Sequence, residues 1–213
     1  SKSVEAFFKN HGYTYSRMNP LEANLQMAKM RRHKTDRSDA HELAKTHFKM
    51  ERESTYVQDD YYEQMRALTR YYDEVDEEII LLKSRMHAIL HMSFPELEKL
   101  ITPSSALFLN IVQLYPHPAL VLSHSKTVIK NRLKANTKKN LSLTRAEKKA
   151  IELIEAAQNS YPAIKPTDVR CDQVKDYAIR IAELKEKKEV LVQQMTELSK
   201  ERQEYLVLRS IPG

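Results

Sequence analysis

Two aspartates, Asp36 and Asp39, are the residues of this 213-residue chain whose type and spacing best suit catalytic chemistry. They lie in the stretch KTDRSDA, residues 34–40, at the start of a segment with helical character that runs to residue 48. In the first turn of a helix, a spacing of three residues puts both carboxylates on one face. There they can share a hard cation such as Mg²⁺, which prefers oxygen ligands. The opposing interpretation is that they only cap the helix and complement its dipole.

Other reactive side chains lack a suitable neighbour in the sequence. His41 and His47 are six residues apart, whereas a zinc-binding helix places its histidines four apart, so these two fall on different faces. No activating base lies close in sequence to the four hydroxyl or thiol groups that could act as nucleophiles, those of Ser38, Ser104, Ser105 and Cys171.

Basic residues are concentrated in two segments. Residues 123–149 hold nine lysines and arginines and one acid, and residues 29–34 hold four and no acid, whereas residues 59–78 hold eight acids. One charged run is usually a solvated helix face. Two basic runs beside an acidic one favour contact with nucleic-acid phosphates, without sequence reading. The predicted phosphate-binding residues are Arg31, Arg32, Lys34, Lys126, Lys130, Arg132, Lys134, Lys138 and Lys139.

The composition argues against several classes of protein. The two glycines, Gly12 and Gly213, cannot build a glycine-rich nucleotide loop or a series of hairpins, so a helical chain is expected. The aliphatic runs are far shorter than the ~20 residues of a membrane helix. The single Cys171 cannot close an intrachain disulfide and the N-terminus has no secretory signal, so a cytoplasmic location is predicted.

The first ~50 residues have α/β character. Residues 4–9 predict a helix ended by Gly12, residues 13–18 predict a short strand, and residues 21–30 and 36–48 predict two more helices. One strand cannot form a stable sheet, so this part is interpreted as the tail of an α/β domain. The chain begins without Met and stops at IPG, residues 211–213, which suggests a fragment.

Two apolar stripes with the 3.5-residue period of a coiled coil follow, one from Met65 to Ile89 and one from Val174 to Tyr205. Lys188 and Arg202 occupy positions of the second stripe where an apolar residue is due, which would weaken a zipper or set its register. The stripes favour an antiparallel pair, and the sequence leaves open whether it forms within one chain or across a dimer.

The segment between the stripes shows helical patterns at residues 105–115, 124–135 and 144–158, with prolines marking the loops. Thr144 and Glu147 have the spacing of a capping box for the last of these helices. The predicted fold class is therefore mainly α, with the C-terminal remnant of an α/β domain followed by long antiparallel coiled-coil helices.

An ordered series of short motifs resembles the DEDD transposases of insertion-sequence family one-ten. The series is NPLEA at 19–23, KTDRSDAHELA at 34–44, LTR at 68–70, KSRMH at 83–87, FPEL at 94–97 and LRSIPG at 208–213. It spans essentially the whole chain, and its order is more specific than any single motif. The resemblance implies a RuvC-like (RNase H-like) nuclease domain with four metal-binding acids, a coiled-coil region, and a transposase domain with a nucleophilic serine.

By this resemblance, Asp36 and Asp39 are the last two acids of the tetrad and ligands of Mg²⁺ in the complete parent. The other Asp and the Glu are expected upstream of Ser1 and the serine beyond Gly213, so the fragment alone is expected to be inactive. The implied boundaries are 1–55 for the end of the nuclease domain, 56–207 for the helical region with its insert at about 103–160, and 208–213 for the start of the transposase domain.

The family assembles on a structured bridging RNA that pairs with target and donor DNA. The resemblance thus implies DNA and a structured non-coding RNA as partners, and the stripes predict further copies of the chain. Two alternatives stay open: a non-catalytic helical scaffold in which Asp36 and Asp39 only cap a helix, and a RuvC-like junction nuclease without a serine.

Overall fold

The computed structural model describes residues 2–27, 35–49, 59–137 and 141–211. Over these ranges the chain is mainly helical, as predicted, with eleven helices and no β-strand. The strand predicted at residues 13–18 is wrong, because this segment is an irregular connection. A strand needs a neighbour for its backbone groups, and the described ranges offer none. In the same ranges, no helix combines the length and apolar character needed to cross a membrane.

The first compact unit, Ser1–Asp60, holds the helices α1 (Lys2–Asn10), α2 (Pro20–Met27) and α3 (Asp36–Lys49). Gly12 follows α1 with a φ of +70°, a left-handed conformation that glycine adopts at little cost, and so ends the helix as predicted. Pro20 is the first residue of α2, where its fixed φ suits a helix. α2 packs against α3, whose first turn carries Asp36 and Asp39.

The second compact unit, Tyr61–Gly213, holds most of the structure. Two long helices, α4 (Asp60–Ser93) and α10 (Val169–Ser199), are joined by a group of shorter ones. The shorter helices are α5 (Leu97–Leu100), α6 (Ala106–Leu114), α7 (Pro118–Leu122), α8 (Lys126–Asn136) and α9 (Leu143–Gln158), and α11 (Gln203–Ser210) follows α10.

One apolar core lies within this unit. α6 packs against α10 and α8, and α9 packs against α7 and α8. The buried face of α9 is built mainly of small residues, Ala146, Ala150 and Ala157. The largest fully buried side chains are Leu82, Met86, Leu90, Phe94, Leu97, Phe108, Ile111, Tyr115, Ile129, Leu133, Leu153 and Ile181.

The two predicted apolar stripes are the facing sides of α4 and α10. Two side-chain contacts show the relative direction of these helices. In the first half of α10, Arg180 Nη2 lies 3.0 Å from Oε1 of Glu78, which is in the second half of α4. At the end of α10, the Ser199 hydroxyl lies 3.2 Å from the hydroxyl of Tyr61 at the start of α4. These individual contacts have the order expected of two antiparallel helices. The interdigitated packing of a coiled coil stays a prediction.

The two cations in the second stripe have partners on α4. Lys188 bonds to Asp76, and its Nζ lies 4.2 Å from the centroid of the Tyr72 ring. Arg202 lies 4.4 Å from the centroid of the Tyr61 ring. Ammonium and guanidinium groups are attracted to the faces of aromatic rings, so these positions are filled by paired cations rather than left as gaps in the stripe.

Serine and aspartate side chains set the helix starts in this unit. Ser105, Ser125, Ser142 and Asp168 cap α6, α8, α9 and α10. The capping box predicted at Thr144 is wrong, because Ser142 accepts the N–H of Arg145 and the helix begins two residues earlier. Two other predictions also fail. Pro118 begins α7 instead of marking a loop, and the second stripe is interrupted where α10 ends at Ser199.

Candidate metal and nucleic-acid sites

The first turn of α3 places Asp36 and Asp39 as the sequence predicted. The residue before the helix, Thr35, accepts the backbone N–H of Ser38 at 3.2 Å, and the Ser38 hydroxyl accepts the N–H of Thr35 at 3.1 Å. This reciprocal pair fixes the helix start. Asp36 is the first helical residue and is exposed, and Asp39 is half-buried one turn later on the same side.

The alternative in which the aspartates serve only as caps loses part of its support. The cap of the first turn is made by Thr35 and Ser38, as their two backbone bonds show. Both carboxylates still lie at the positive end of the helix dipole, which stabilises negative charge whether or not a cation is present. The structure therefore leaves the two carboxylates close together on one face, next to a cap that is already complete.

These two oxygen-donor residues suit Mg²⁺ but make only part of a site. Mg²⁺ is commonly held by one or two carboxylates while water and substrate phosphate supply its other ligands. In the part of the chain that the structure describes, no group of three or more histidine, cysteine or acidic side chains is arranged to hold a metal. The fit is thus that of a half-site, and a complete centre needs further acids. The Mg²⁺ assignment stays a prediction.

The predicted phosphate-binding residues fall into two groups. Arg31, Arg32, Lys34, Lys138 and Lys139 lie outside the described residues. The others, Lys126, Lys130, Arg132 and Lys134, all lie on α8. This helix begins after Ser125, whose hydroxyl accepts the N–H of Val128 at 3.4 Å.

The four basic residues of α8 do not form one surface. α8 buries Ile129 and Leu133, and its lysines at 126, 130 and 134 follow one another at four-residue steps along one flank of that buried face. By the same geometry, Arg132 lies on the opposite flank. We call Lys126, Lys130 and Lys134 the α8 lysine stripe.

One lysine of the α8 lysine stripe is paired within the protein. Lys126 Nζ donates to Glu147 Oε1 on α9 at 2.8 Å. This hydrogen bond, together with the charges of Lys126 and Lys130, lowers the pKa of the Glu147 carboxyl. Both side chains are about half exposed, so water and salt screen the pair. Lys130 and Lys134 therefore supply most of the uncompensated charge of the stripe.

Arg132 lies near a buried tyrosine. Burial raises the pKa of Tyr115, and the nearby Arg132 guanidinium opposes that shift. The Tyr115 ring also meets the His124 ring edge-on, with centroids 5.9 Å apart. Arg132 is thus exposed but interacts with a tyrosine of the core, on the flank of α8 opposite to the α8 lysine stripe.

Asn110 is a positioning residue that the sequence analysis did not identify. It is 5% exposed on α6, and its Nδ2 donates to Thr137 Oγ1 at 2.8 Å, immediately after α8 ends. The bond ties the end of the basic helix to the core. A signal was present, since Asn110 is the one strongly polar residue in the centre of the apolar run ALFLNIVQL.

The candidate nucleophiles set aside in the sequence do not gain an activating base. Cys171 is buried, and burial raises the pKa of its thiol. Ser105 caps α6, and Ser38 takes part in the cap of α3. His41 is exposed on α3, and nothing is described of the His47 side chain.

Comparison with known proteins gives two family matches. Residues 1–95 match the family model of the DEDD transposases of insertion-sequence family one-ten, and residues 71–200 match that of a snoRNA-binding domain, fibrillarin. The first match contains Asp36 and Asp39, and the second contains the α8 lysine stripe. No curated protein and no solved structure matches the chain.

Proposed function

We propose that the chain is part of an RNA-guided DNA transposase. Its residues 1–95 match the DEDD transposase family model, and its residues 71–200 match the snoRNA-binding domain model. In this proposal the first unit contributes to a metal-dependent nuclease centre and the second unit holds nucleic acid. The observation that carries it is the placement of Asp36 and Asp39 on one face of α3, inside the transposase match.

In the proposed nuclease centre, Asp36 and Asp39 are two of four acidic ligands. A bound Mg²⁺ would stabilise the charge that develops on a phosphodiester during cleavage. The chain's own contribution is to hold two carboxylates one helical turn apart on a capped, rigid helix start, where an incoming phosphate does not have to organise them. The remaining acids and the serine nucleophile are those that the family resemblance implies.

The nuclease assignment is tested by substituting the two acids in the complete transposase. Asp36→Asn and Asp39→Asn each keep the side-chain size but remove a charged oxygen ligand, so DNA cleavage in Mg²⁺ should fall by two orders of magnitude or more. Cleavage of a labelled element-end duplex measures this loss. Glu42→Gln, farther along the same helix, is the matched control and should leave cleavage near that of the wild type. Full activity of both aspartate variants would show that these residues only stabilise the helix.

In the same proposal, the second unit binds the phosphate backbone of a structured RNA through the α8 lysine stripe. Two features support it: the outward-facing lysines, and the match to a family named for RNA binding over the same helices. Phosphate contacts of this kind give affinity and orientation without reading the sequence.

Replacing Lys126, Lys130 and Lys134 with Ala should weaken RNA binding and flatten its salt dependence. Each lost contact to single-stranded RNA lowers the slope of log K against log salt by about 0.7. Filter binding across a salt series measures this slope, and circular dichroism checks that the variant is folded. A charge-matched control replaces three lysines elsewhere in the unit with Ala: Lys165 and Lys200, which are exposed, and Lys175, which is half-buried. Equal losses in the two triple variants would attribute binding to net charge alone.

We also propose that copies of the chain associate in the working complex. The support is that stripe residues in the first half of α4 and the last turns of α10, such as Leu68 and Met195, are only half-buried. A scaffold of this kind is also the main alternative function, and it would leave Asp36 and Asp39 without a catalytic part.

A further inference from the structure

A short connection between α5 and α6 is held in place by two lysines from distant parts of the chain. Lys149 Nζ donates to the carbonyl oxygen of Leu100 at 3.1 Å, and Lys185 Nζ donates to the carbonyl oxygen of Ser104. Ser104 has a φ of +64°, an uncommon conformation for a residue other than glycine. Ammonium groups from α9 and α10 are therefore bonded to the backbone of a connection that also carries hydroxyl side chains.

Four lysines lie beside this connection or next to one another, and two of them have matching acids: Lys149 pairs with Glu152, and Lys188 with Asp76. Burial lowers the pKa of Lys185, and repulsion from Lys83 on α4 and Lys188 on α10 lowers it further. Lys188 is compensated by Asp76. Within the described residues, neither Lys83 nor Lys185 forms an ion pair with a carboxylate, and Lys185 bonds only to an uncharged carbonyl. The folded unit thus keeps two ammonium groups near enough to repel each other, and no ion pair among the described residues offsets them.

A phosphate group would relieve the repulsion between these two lysines. A phosphate oxygen accepts hydrogen bonds from ammonium and hydroxyl groups, and its charge removes the repulsion between neighbouring lysines. Ser104, whose backbone carbonyl accepts from Lys185, is half-buried and carries a hydroxyl of the kind suited to this role. An isolated carboxylate could also bind to these lysines. A polymer of phosphates is favoured because the same unit carries a second group of lysines, on α8.

We propose that Lys83 and Lys185, together with the connection at residues 102–105, form a second contact for the phosphate backbone of RNA, in addition to the α8 lysine stripe. The inference rests on the proposed RNA-binding function, because the ligand class follows from it. It adds a surface made by α4, α10 and the α5–α6 connection, which a reading of basic runs in the sequence does not reveal.

The test measures binding of a fluorescein-labelled single-stranded RNA to the 213-residue chain across a salt series. The double variant Lys83→Gln with Lys185→Met keeps the side-chain stems and removes both charges. Its slope of log K against log salt should be smaller than that of the wild type by about 1.4, since each contact contributes about 0.7. The control replaces Lys175 on α10 and Lys200, the residue that follows α10, with Gln. These lysines are already paired with Asp172 and Glu197, so the slope should not change.

Each outcome bears on the proposal. A double variant with an unchanged slope, alongside a loss in the α8 triple variant, would overturn this second contact and leave the proposed function standing. Absence of RNA binding by the wild type would overturn both. Competition by poly-glutamate at concentrations where excess unlabelled RNA competes poorly would assign the lysines to an acidic protein partner instead. If Lys185→Met unfolds the chain, the variant Lys83→Gln alone decides, with an expected slope decrease of about 0.7.

Discussion

Individual polar residues set where the long helices begin, and Asp168 is the clearest case. Its carboxylate accepts the backbone N–H of Arg170 at 2.9 Å and pairs with the Arg170 guanidinium at 2.7 Å. These hydrogen bonds lower the pKa of Asp168 from an ordinary 3.8 to about 2. One side chain therefore both caps α10 and retains its charge in mild acid.

The lowered pKa makes the cap sensitive to pH. A carboxyl whose folded pKa is lowered stabilises the protein above its unfolded pKa, and this stabilisation is lost as pH falls through the folded pKa. For Asp168 the loss should occur as pH falls from about 4 towards about 2. Urea unfolding across this range should show a shallower decline for Asp168→Asn, which keeps the cap but cannot titrate. Asp172→Asn is the control, and an identical decline in the Asp168 variant and the wild type would refute the assignment.

The helices follow local signals closely, whereas the contacts between them do not. Gly12, Pro20 and the apolar period of α4 predicted their elements because these signals act on neighbouring residues. The helices α5 and α7 have four and five residues, too few to show a period, and were not predicted. The start of α11 was predicted only as a continuation of the second stripe. That Lys188 meets Tyr72 depends on which residues of a distant helix face it, and no local pattern encodes that.

At the candidate sites too, features set by neighbouring residues were predicted, whereas features set by residues distant in sequence were not. The shared face of Asp36 and Asp39 follows from a three-residue spacing and was predicted. Their further ligands would come from residues distant in sequence, which a short motif cannot specify. The α8 lysines were predicted as one basic run with Arg132. The helix places Arg132 on the opposite flank, which a count of charges along the sequence does not show.

The stripe on α4 provides a prediction with a control one residue away. Leu82 is 1% exposed in the core, whereas its neighbour Leu81 is 49% exposed on another face. Leu82→Ala should lower the free energy of unfolding by about 2–5 kcal/mol, through lost burial and a residual cavity. Leu81→Ala should change it by no more than about 0.5 kcal/mol. Chemical denaturation measures both, and similar losses at the two positions would show that α4 does not bury this stripe.

At the scale of the whole molecule, the charges are separated along the chain and only partly neutralised on folding. The acids of α4 meet Arg180 and Lys188 on α10, whereas the lysines of α8 face outward. An acidic surface and basic surfaces thus coexist on one chain with a net charge of +6. Such a distribution suits assembly with a polyanion, because its negative charges are attracted to the basic surfaces and repelled by the acidic one.

Self-association is the prediction that belongs to this scale. We expect sedimentation velocity across micromolar concentrations to show a monomer–dimer equilibrium, because the half-buried ends of the α4–α10 pair leave apolar surface in water. Val192→Glu, at a position 47% exposed near this end, should shift the equilibrium to monomer. Val169→Glu, 67% exposed at the other end of α10, should not. A wild type that sediments only as a monomer would show that the stripes serve pairing within one chain.

The alanines on the buried face of α9 have a consequence for how such a protein can diverge. Helices approach each other to a distance set by the side chains between them, and methyl groups permit a close approach. A mutation that enlarges Ala146 or Ala150 would push neighbouring helices outward and carry the α8 lysines with them. Such a variant would lose the proposed RNA affinity while keeping every lysine and arginine, and a comparison of charged positions alone would miss the cause.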